Sequence, residues 1–251
     1  MSSDFATKHR GAAVVGTDLS PIQDVFIPSN LRFEILNFCE PWSYSEDSFD
    51  LIFLRGLYGS VEDWPRLYSE IYMYDHVGSF RRARGRSNKY RALKPGAFIE
   101  HSEMSIELKS DDGTVPPNHI FDRWGKTLLE ASEAYGKSLG IANQTKELIE
   151  ATGFVDVVEK VFKWPIGRWG HGRRLREIGR LNKAHWEISM EGWCIALLTR
   201  ALKVSITEST LTCHLTKVLY HDQWTVPQVK EFLREMEEAL KDGNIHAYHE
   251  V

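Results

Sequence analysis

The sequence predicts an α/β fold on a mostly parallel, doubly wound sheet, and three observations carry that prediction. Apolar runs of strand length alternate with amphipathic stretches of helix length along most of the chain. The first run, Ala12 to Val15, ends in two β-branched residues and has Gly11 and Gly16 on either side, as a strand covered on both faces does. That strand runs on to an acid, Asp18, with Ser20-Pro21 as a loop signal behind it. Ligands of nucleotide-binding α/β sheets lie beyond the carboxyl ends of the strands, where a carboxylate can accept two ribose hydroxyls.

A length of 251 residues fits one large α/β domain or two small ones, and a 42% hydrophobic share supplies a sizeable core. The net charge of -4 argues against a general nucleic-acid binder. Cys39, Cys194 and Cys213 have neither paired-ligand spacing nor the density of a disulfide framework, which points to a reducing compartment. No run approaches the roughly 20 apolar residues of a membrane span. The opening Met-Ser-Ser-Asp-Phe-Ala-Thr-Lys-His-Arg lacks the apolar centre of a secretory signal. A soluble, intracellular protein is expected.

Ser3 to His9 reads as the last turns of a helix, with Lys8, His9 and Arg10 at its C-terminal end and Gly11 as the stop. Leu31 to Ile35 alternates as a second strand, and Asn37 to Trp42 comes next as a loop. Ser48 to Arg55 is a third strand closed by Gly56. Asp63 caps a helix with Pro65 in its first turn. Met73 to Arg91 then carries five Arg and one Lys against a single acid, Asp75, without apolar periodicity. It reads either as a basic arm for phosphate or RNA or as a solvated, disordered loop, and composition favours the loop.

Order resumes at Leu93-Lys94-Pro95-Gly96, a turn feeding a fourth strand. Ile120, Trp124, Leu128, Ala131, Tyr135 and Leu139 mark one face of a helix. Gln144 to Thr152 is a short helix stopped by Gly153, and Phe154 to Trp164 reads as a strand. Arg173 to Lys203 is largely helical, with Ile178, Leu181, Trp186, Trp193, Leu197 and Leu198 as its apolar residues. Thr225-Val226-Pro227-Gln228 is a capping box for a helix that buries Val229, Phe232, Leu233, Met236 and Leu240. Ile245 to Tyr248 opens a last strand.

Most familiar chemistries find no support in this pattern. Gly170-His171-Gly172 lies late, after Trp164-Pro165-Ile166-Gly167, and lacks a third glycine, so it reads as a loop rather than a dinucleotide turn. There is no phosphate-cradling Gly-Lys-Ser/Thr run and no Gly-x-Ser-x-Gly elbow. The ten histidines form no His-x-x-x-His pair, so no metal site is expected. His101-Ser102-Glu103 at a strand end offers either acid–base groups or a polar rim, and the rim is the favoured reading.

Several stretches taken together resemble the LaeA-like fungal methyltransferases. They are Gly16 to Gln23, Glu40-Pro41-Trp42, Phe49 to Ile52, Asp63-Trp64-Pro65 and Leu93 to Gly96, then Gly153 to Val157, Pro165 to Gly167, Leu197 to Arg200 and Ile245 to Tyr248. The resemblance implies class I enzymes using S-adenosylmethionine, often tied to secondary-metabolite gene clusters. It also implies a Rossmann-like sheet of seven strands, one antiparallel, within a single domain. A helical insertion, here about Arg168 to Tyr220, would cap the substrate side. Asp18 would accept the ribose hydroxyls, with Leu19 and Ser20 lining the same site. Asn37 and Phe38 would face the adenine, and Arg55-Gly56 would sit beside the methionine end. Such enzymes often need no catalytic acid or base, because orientation of a nucleophile against the sulfonium methyl lowers the barrier.

The chain departs from that pattern in four places. The family opens with a strand and a Glu-x-Gly-x-Gly-type turn, whereas this chain opens in the helix after them, so the first strand and glycine loop are expected to be absent and the sheet incomplete. Leu36 and Asn37 stand where the family carries acids, which removes an acceptor for the adenine amino group. Met73 to Lys89 is an insertion between Tyr72 and Arg91-Ala92-Leu93, and the chain stops within the final hairpin strand. Three readings are open: a methyltransferase acting on a small-molecule acceptor, a catalytically impaired relative serving as a binding or regulatory partner, and a regulator acting near chromatin. The first two place the protein in the cytoplasm, the third in the nucleus. Trp169, Trp186 and Trp193 of the cap read as core rather than pocket.

Overall fold

The computed structural model describes residues 1–21, 26–72, 92–201 and 224–251. The first apolar run forms strand β1, Val14–Asp18, behind a short helix α1, Ser2–Lys8. The Asn30 amide stitches that helix and the turn after it to the second strand, donating to the carbonyls of Ala6, His9 and Ala12 at 3.1, 3.1 and 2.9 Å. This strand β2, Leu31–Ile35, pairs with β1 in parallel, from Val14 opposite Leu31 to Asp18 opposite Ile35.

Strand β3, Phe49–Arg55, pairs in parallel with β4, Leu93–Ser102. Between them comes helix α2, Trp64–Tyr72, whose first turn is capped by Asp63 accepting from the Arg66 amide at 2.9 Å. The Lys94-Pro95-Gly96 turn falls inside β4 as an irregularity, since Phe49 pairs with Leu93 but Leu51 already pairs with Phe98. Lys94 closes this bulge by pairing with Asp50 at 2.8 Å.

Helix α3, Ile120–Tyr135, ends on Gly136, and a 3-10 turn at Gly140–Asn143 leads into α4, Thr145–Thr152. Strand β5, Lys163–Pro165, lies antiparallel to β6, Tyr248–Glu250. The stretch after β4 joins β6 from its other side: the Ser105 amide donates to Glu250, and Lys109 and Tyr248 exchange bonds of 2.8 and 2.9 Å. The long helix α5, Gly172–Ala201, and α6, Val226–Lys241, complete the chain. Both halves of the capping box form at Thr225 and Gln228.

The molecule is therefore α/β, with two parallel strand pairs, β1–β2 and β3–β4, and a separate antiparallel pair, β5–β6, among the described residues. Among the described residues no strand covers the outer edge of β1 or of β3. Two apolar clusters hold the layers. One joins α3, α5 and α6 around Trp124, Trp186, Met190, Phe232 and Met236, with Trp124 and Phe232 stacked at 5.3 Å. The other packs Trp64, Leu67, Tyr68 and Ile71 of α2 against Leu54, Leu93, Ile141 and Ile149.

Two expectations need correction. Phe154 to Trp164 is not a strand through its length: only Lys163–Pro165 is. The left-handed residues Gly153 and Asp156 bend the backbone, and Val155 and Val158 are left 82% and 76% exposed. The last strand starts at Tyr248 rather than Ile245, because the His246 amide is taken by the Thr114 hydroxyl at 2.8 Å. On α5 Leu181 is exposed, while its neighbour Asn182 is buried and donates to the β5 carbonyls of Trp164 and Pro165 at 3.3 and 2.8 Å. The basic insertion 73–91 and the later part of the expected cap, 202–220, lie outside the described residues. Among the described residues no helix is long and apolar enough to cross a membrane.

Candidate functional site

Asp18 ends β1 and is fixed twice. Its carbonyl accepts from the Leu36 amide at 3.0 Å, locking the exits of β1 and β2 together. Its carboxylate oxygen Oδ1 accepts from the Ser20 amide at 2.8 Å, an Asx turn that bends the chain away from the strand. Leu19, at the tip of this bend, is 63% exposed. The side chain of Asn37 is tied to its own loop: Nδ2 donates to Glu40 at 3.0 Å and Oδ1 accepts from the Cys39 amide at 3.1 Å. Phe38 is half-buried against the α2 cluster, and its carbonyl accepts from the Trp42 indole at 3.1 Å.

The structure thus gathers Asp18, Leu19, Ser20, Asn37 and Phe38 at the carboxyl end of the β1–β2 pair. Arg55 stands apart from them, exposed at the carboxyl end of β3. Its guanidinium lies 3.4 Å from the Met1 sulfur, so α1 spans from one strand pair toward the other.

His101 and Glu103 do not form a polar rim. Their side chains are 0% and 3% exposed, because the end of β4 turns them under α2. His101 bonds the Tyr68 hydroxyl through Nδ1 at 2.7 Å and Glu103 through Nε2 at 2.8 Å. The same Glu103 oxygen accepts from the Leu57 amide at 2.7 Å, tying the end of β4 to the loop after β3. The second oxygen, Oε2, is buried and unpartnered among the described residues. Burial, then the Glu103 charge, pushes the Tyr58 hydroxyl up to about 12, and burial raises Tyr68 as well. This network holds the exits of β3 and β4 in place. The Leu57 contact had no counterpart in the sequence, since its partners lie 46 positions apart.

Of the cap tryptophans, Trp186 is core at 0% exposure. Trp193 is half-buried beside it, their rings 5.3 Å apart, edge to face. Trp169 is half-buried too, but it lines a groove bounded by α5 and the end of α6.

Small parallel strand pairs within an α/β chain are consistent with a class I methyltransferase fold. No family model matches the chain. It is similar to the secondary metabolism regulator LAE1 of Cochliobolus heterostrophus, 33% identical over 251 residues, covering 99% of this chain and 69% of that protein. It is 30% identical over 189 residues to the methyltransferase pytC of Aspergillus terreus, covering 75% of this chain and 52% of the relative. The secondary metabolism regulator laeA of Monascus pilosus is 27% identical over 98% of this chain, which spans 57% of it. The chain belongs to the LaeA-like family of fungal methyltransferases and secondary-metabolism regulators.

Proposed function

We propose that this chain carries out S-adenosylmethionine-dependent methyl transfer to a small-molecule acceptor in fungal secondary metabolism. Asp18 carries the reading: a carboxylate at the exit of a parallel strand, with one oxygen committed to Ser20 and the other without a partner among the described residues. A ribose diol offers two donors to such a group. Leu19 and Ser20 would border the sugar. The Phe38 ring, rather than the Asn37 amide, would meet the adenine, because both ends of the Asn37 side chain are held by its own loop. Arg55 would stand on the methionine side. The fit is partial, since among the described residues no glycine-rich turn lies beside Asp18.

We read β1–β2 and β3–β4 as the two flanks of a Rossmann-like class I sheet, with the strand position between them open, and α5 as the start of the cap. The cofactor would supply the activated methyl group. The protein's part would be to hold the ribose through Asp18, keep the β3 exit rigid through Glu103, and align the acceptor.

The test is calorimetric titration of the purified chain with S-adenosylmethionine and S-adenosylhomocysteine. A Kd below about 1 mM, roughly 4 kcal/mol of binding, is expected. Asp18→Ala should weaken it about tenfold or more through loss of charge-assisted hydrogen bonds. Absence of binding, or an affinity indifferent to Asp18, would count against the reading. A second reading, a binding or regulatory partner without cofactor chemistry, is favoured by the names of LAE1 and laeA, which are regulators. Recovery of a protein partner from cell extract, unaffected by added cofactor, would support it.

A further inference from the structure

The groove beside Trp169 opens where β5 ends and where the chain approaches β6, between α5 and the C-terminal end of α6. Its volume of about 530 Å³ lies within the range that small ligands fill. Ile166 and Leu240, both buried, and the half-buried Ile245 give it an apolar floor. Trp169 is fixed rather than mobile. Its indole Nε1 donates to the carbonyls of Ile166 and Ala247, both at 3.1 Å, and His246 stacks on the ring at 5.1 Å.

Three cations border this apolar surface: Arg168, Arg180 and Lys183. Two are already engaged. Arg180 is held by both oxygens of Glu177 at 3.1 Å, and Lys183 faces Glu187 at 3.8 Å. Arg168, one residue before the fixed indole, makes no ion pair among the described residues, although its charge reaches Glu177 at a distance. Asp242 also lines the groove; its Oδ1 accepts from the amide and side chain of Asn244 at 2.9 and 3.0 Å, and it makes no ion pair among the described residues. A guanidinium without an ion-pair partner thus stands next to a flat, immobile aromatic wall.

We propose that this groove binds a flat aromatic carboxylate, with its ring on the Trp169 side and its carboxylate on Arg168. A neutral arene would use the wall and floor but leave the charge unanswered, and an aliphatic acid would do the reverse. A planar guanidinium also matches a carboxylate in a fork that a lysine cannot form. That this ligand is the methyl acceptor rests on the methyl-transfer reading above; that the groove binds it does not.

The full chain, without cofactor, is titrated by calorimetry with 2-naphthoate, its neutral analogue 2-naphthalenemethanol, and cyclohexanecarboxylate. Naphthoate should bind about tenfold tighter than the alcohol, as one charge-assisted contact provides. Arg168→Gln, an exposed substitution that spares the fold, should erase that preference, and Trp169→Leu should weaken both aromatic compounds alike. Equal affinities in the parent chain, or a preference that survives Arg168→Gln, would overturn the proposal. Cofactor titration of the same preparation reads the methyl-transfer reading separately. Naphthoate binding without cofactor binding keeps the groove and removes the acceptor role.

Discussion

The Gly167 amide donates to the Gly179 carbonyl at 3.0 Å, and a Cβ on Gly179 would stand 1.9 Å from the Gly167 carbonyl oxygen. Helix α5 and the loop after β5 are therefore in backbone contact, with no room for a side chain between them. Gly179→Ala should destabilise the protein by about 2 kcal/mol or more, since neither contact partner is a flexible side chain. Gly192, in the same helix but with nothing within 4 Å, is the control. Gly192→Ala should stabilise by about 0.5–1 kcal/mol through helix propensity. Urea denaturation of the two variants reads the contrast directly.

The His249 imidazole is buried at 0% exposure and accepts the Trp186 indole N–H through Nδ1 at 3.2 Å. Burial, then the charge of His185, pushes it down to about 4 from an ordinary 6.5. The unfolded chain binds this proton more readily than the folded one, so stability rises with pH between about 4 and 6.5 and is level for this group outside that window. The contribution is on the order of 3 kcal/mol. Denaturation midpoints measured across that range should climb with pH, and His249→Gln should flatten the climb. A slope unchanged in that variant would assign the effect elsewhere.

Glu103 satisfies the Leu57 amide and the His101 imidazole with one buried oxygen. Glu103→Ala strands both donors and should cost about 2–4 kcal/mol. Tyr68→Phe removes only the hydroxyl from His101 Nδ1 and should cost about 1–2 kcal/mol. Thermal melts in which Tyr68→Phe proved the more damaging would show that the network is not organised around the carboxylate.

Thr225 caps α6, its amide held by Gln228 at 2.7 Å. Thr225→Ala should lower stability by about 1 kcal/mol, and Thr225→Ser should restore most of it. Chemical denaturation of the pair is sufficient.

Local chemistry was legible in the sequence wherever one residue answers its near neighbours. Asp63 and Thr225 name their helix starts, and Val229, Phe232, Leu233, Met236 and Leu240 are buried as their spacing requires. What failed was set by distant partners. Asn182 looks like a surface residue until the β5 carbonyls that need its amide are in place, while its neighbour Leu181 is exposed. Phe154 to Phe162 has strand composition, yet two left-handed turns and the lack of a continuous partner keep it irregular. At the candidate site, the apolar run Ala12 to Val15 and the Ser20-Pro21 signal behind it placed Asp18 at a strand exit. The burial of His101 and Glu103 required α2, which no local pattern encodes, whereas the ties of Asn37 to Cys39 and Glu40 are local Asx-type contacts.

Among the described residues the two apolar clusters share no buried residue: one gathers around α2, the other around α3, α5 and α6. Cooperativity between them must pass through slender connections, such as the Gly59 amide on the Ser138 carbonyl at 3.1 Å and the backbone running on from β4. Staged opening, one cluster melting while the other persists, is therefore the expected outcome. The buried tryptophans report this separately, Trp64 for the first cluster and Trp124 with Trp186 for the second. A calorimetric enthalpy larger than the van't Hoff enthalpy would be its signature.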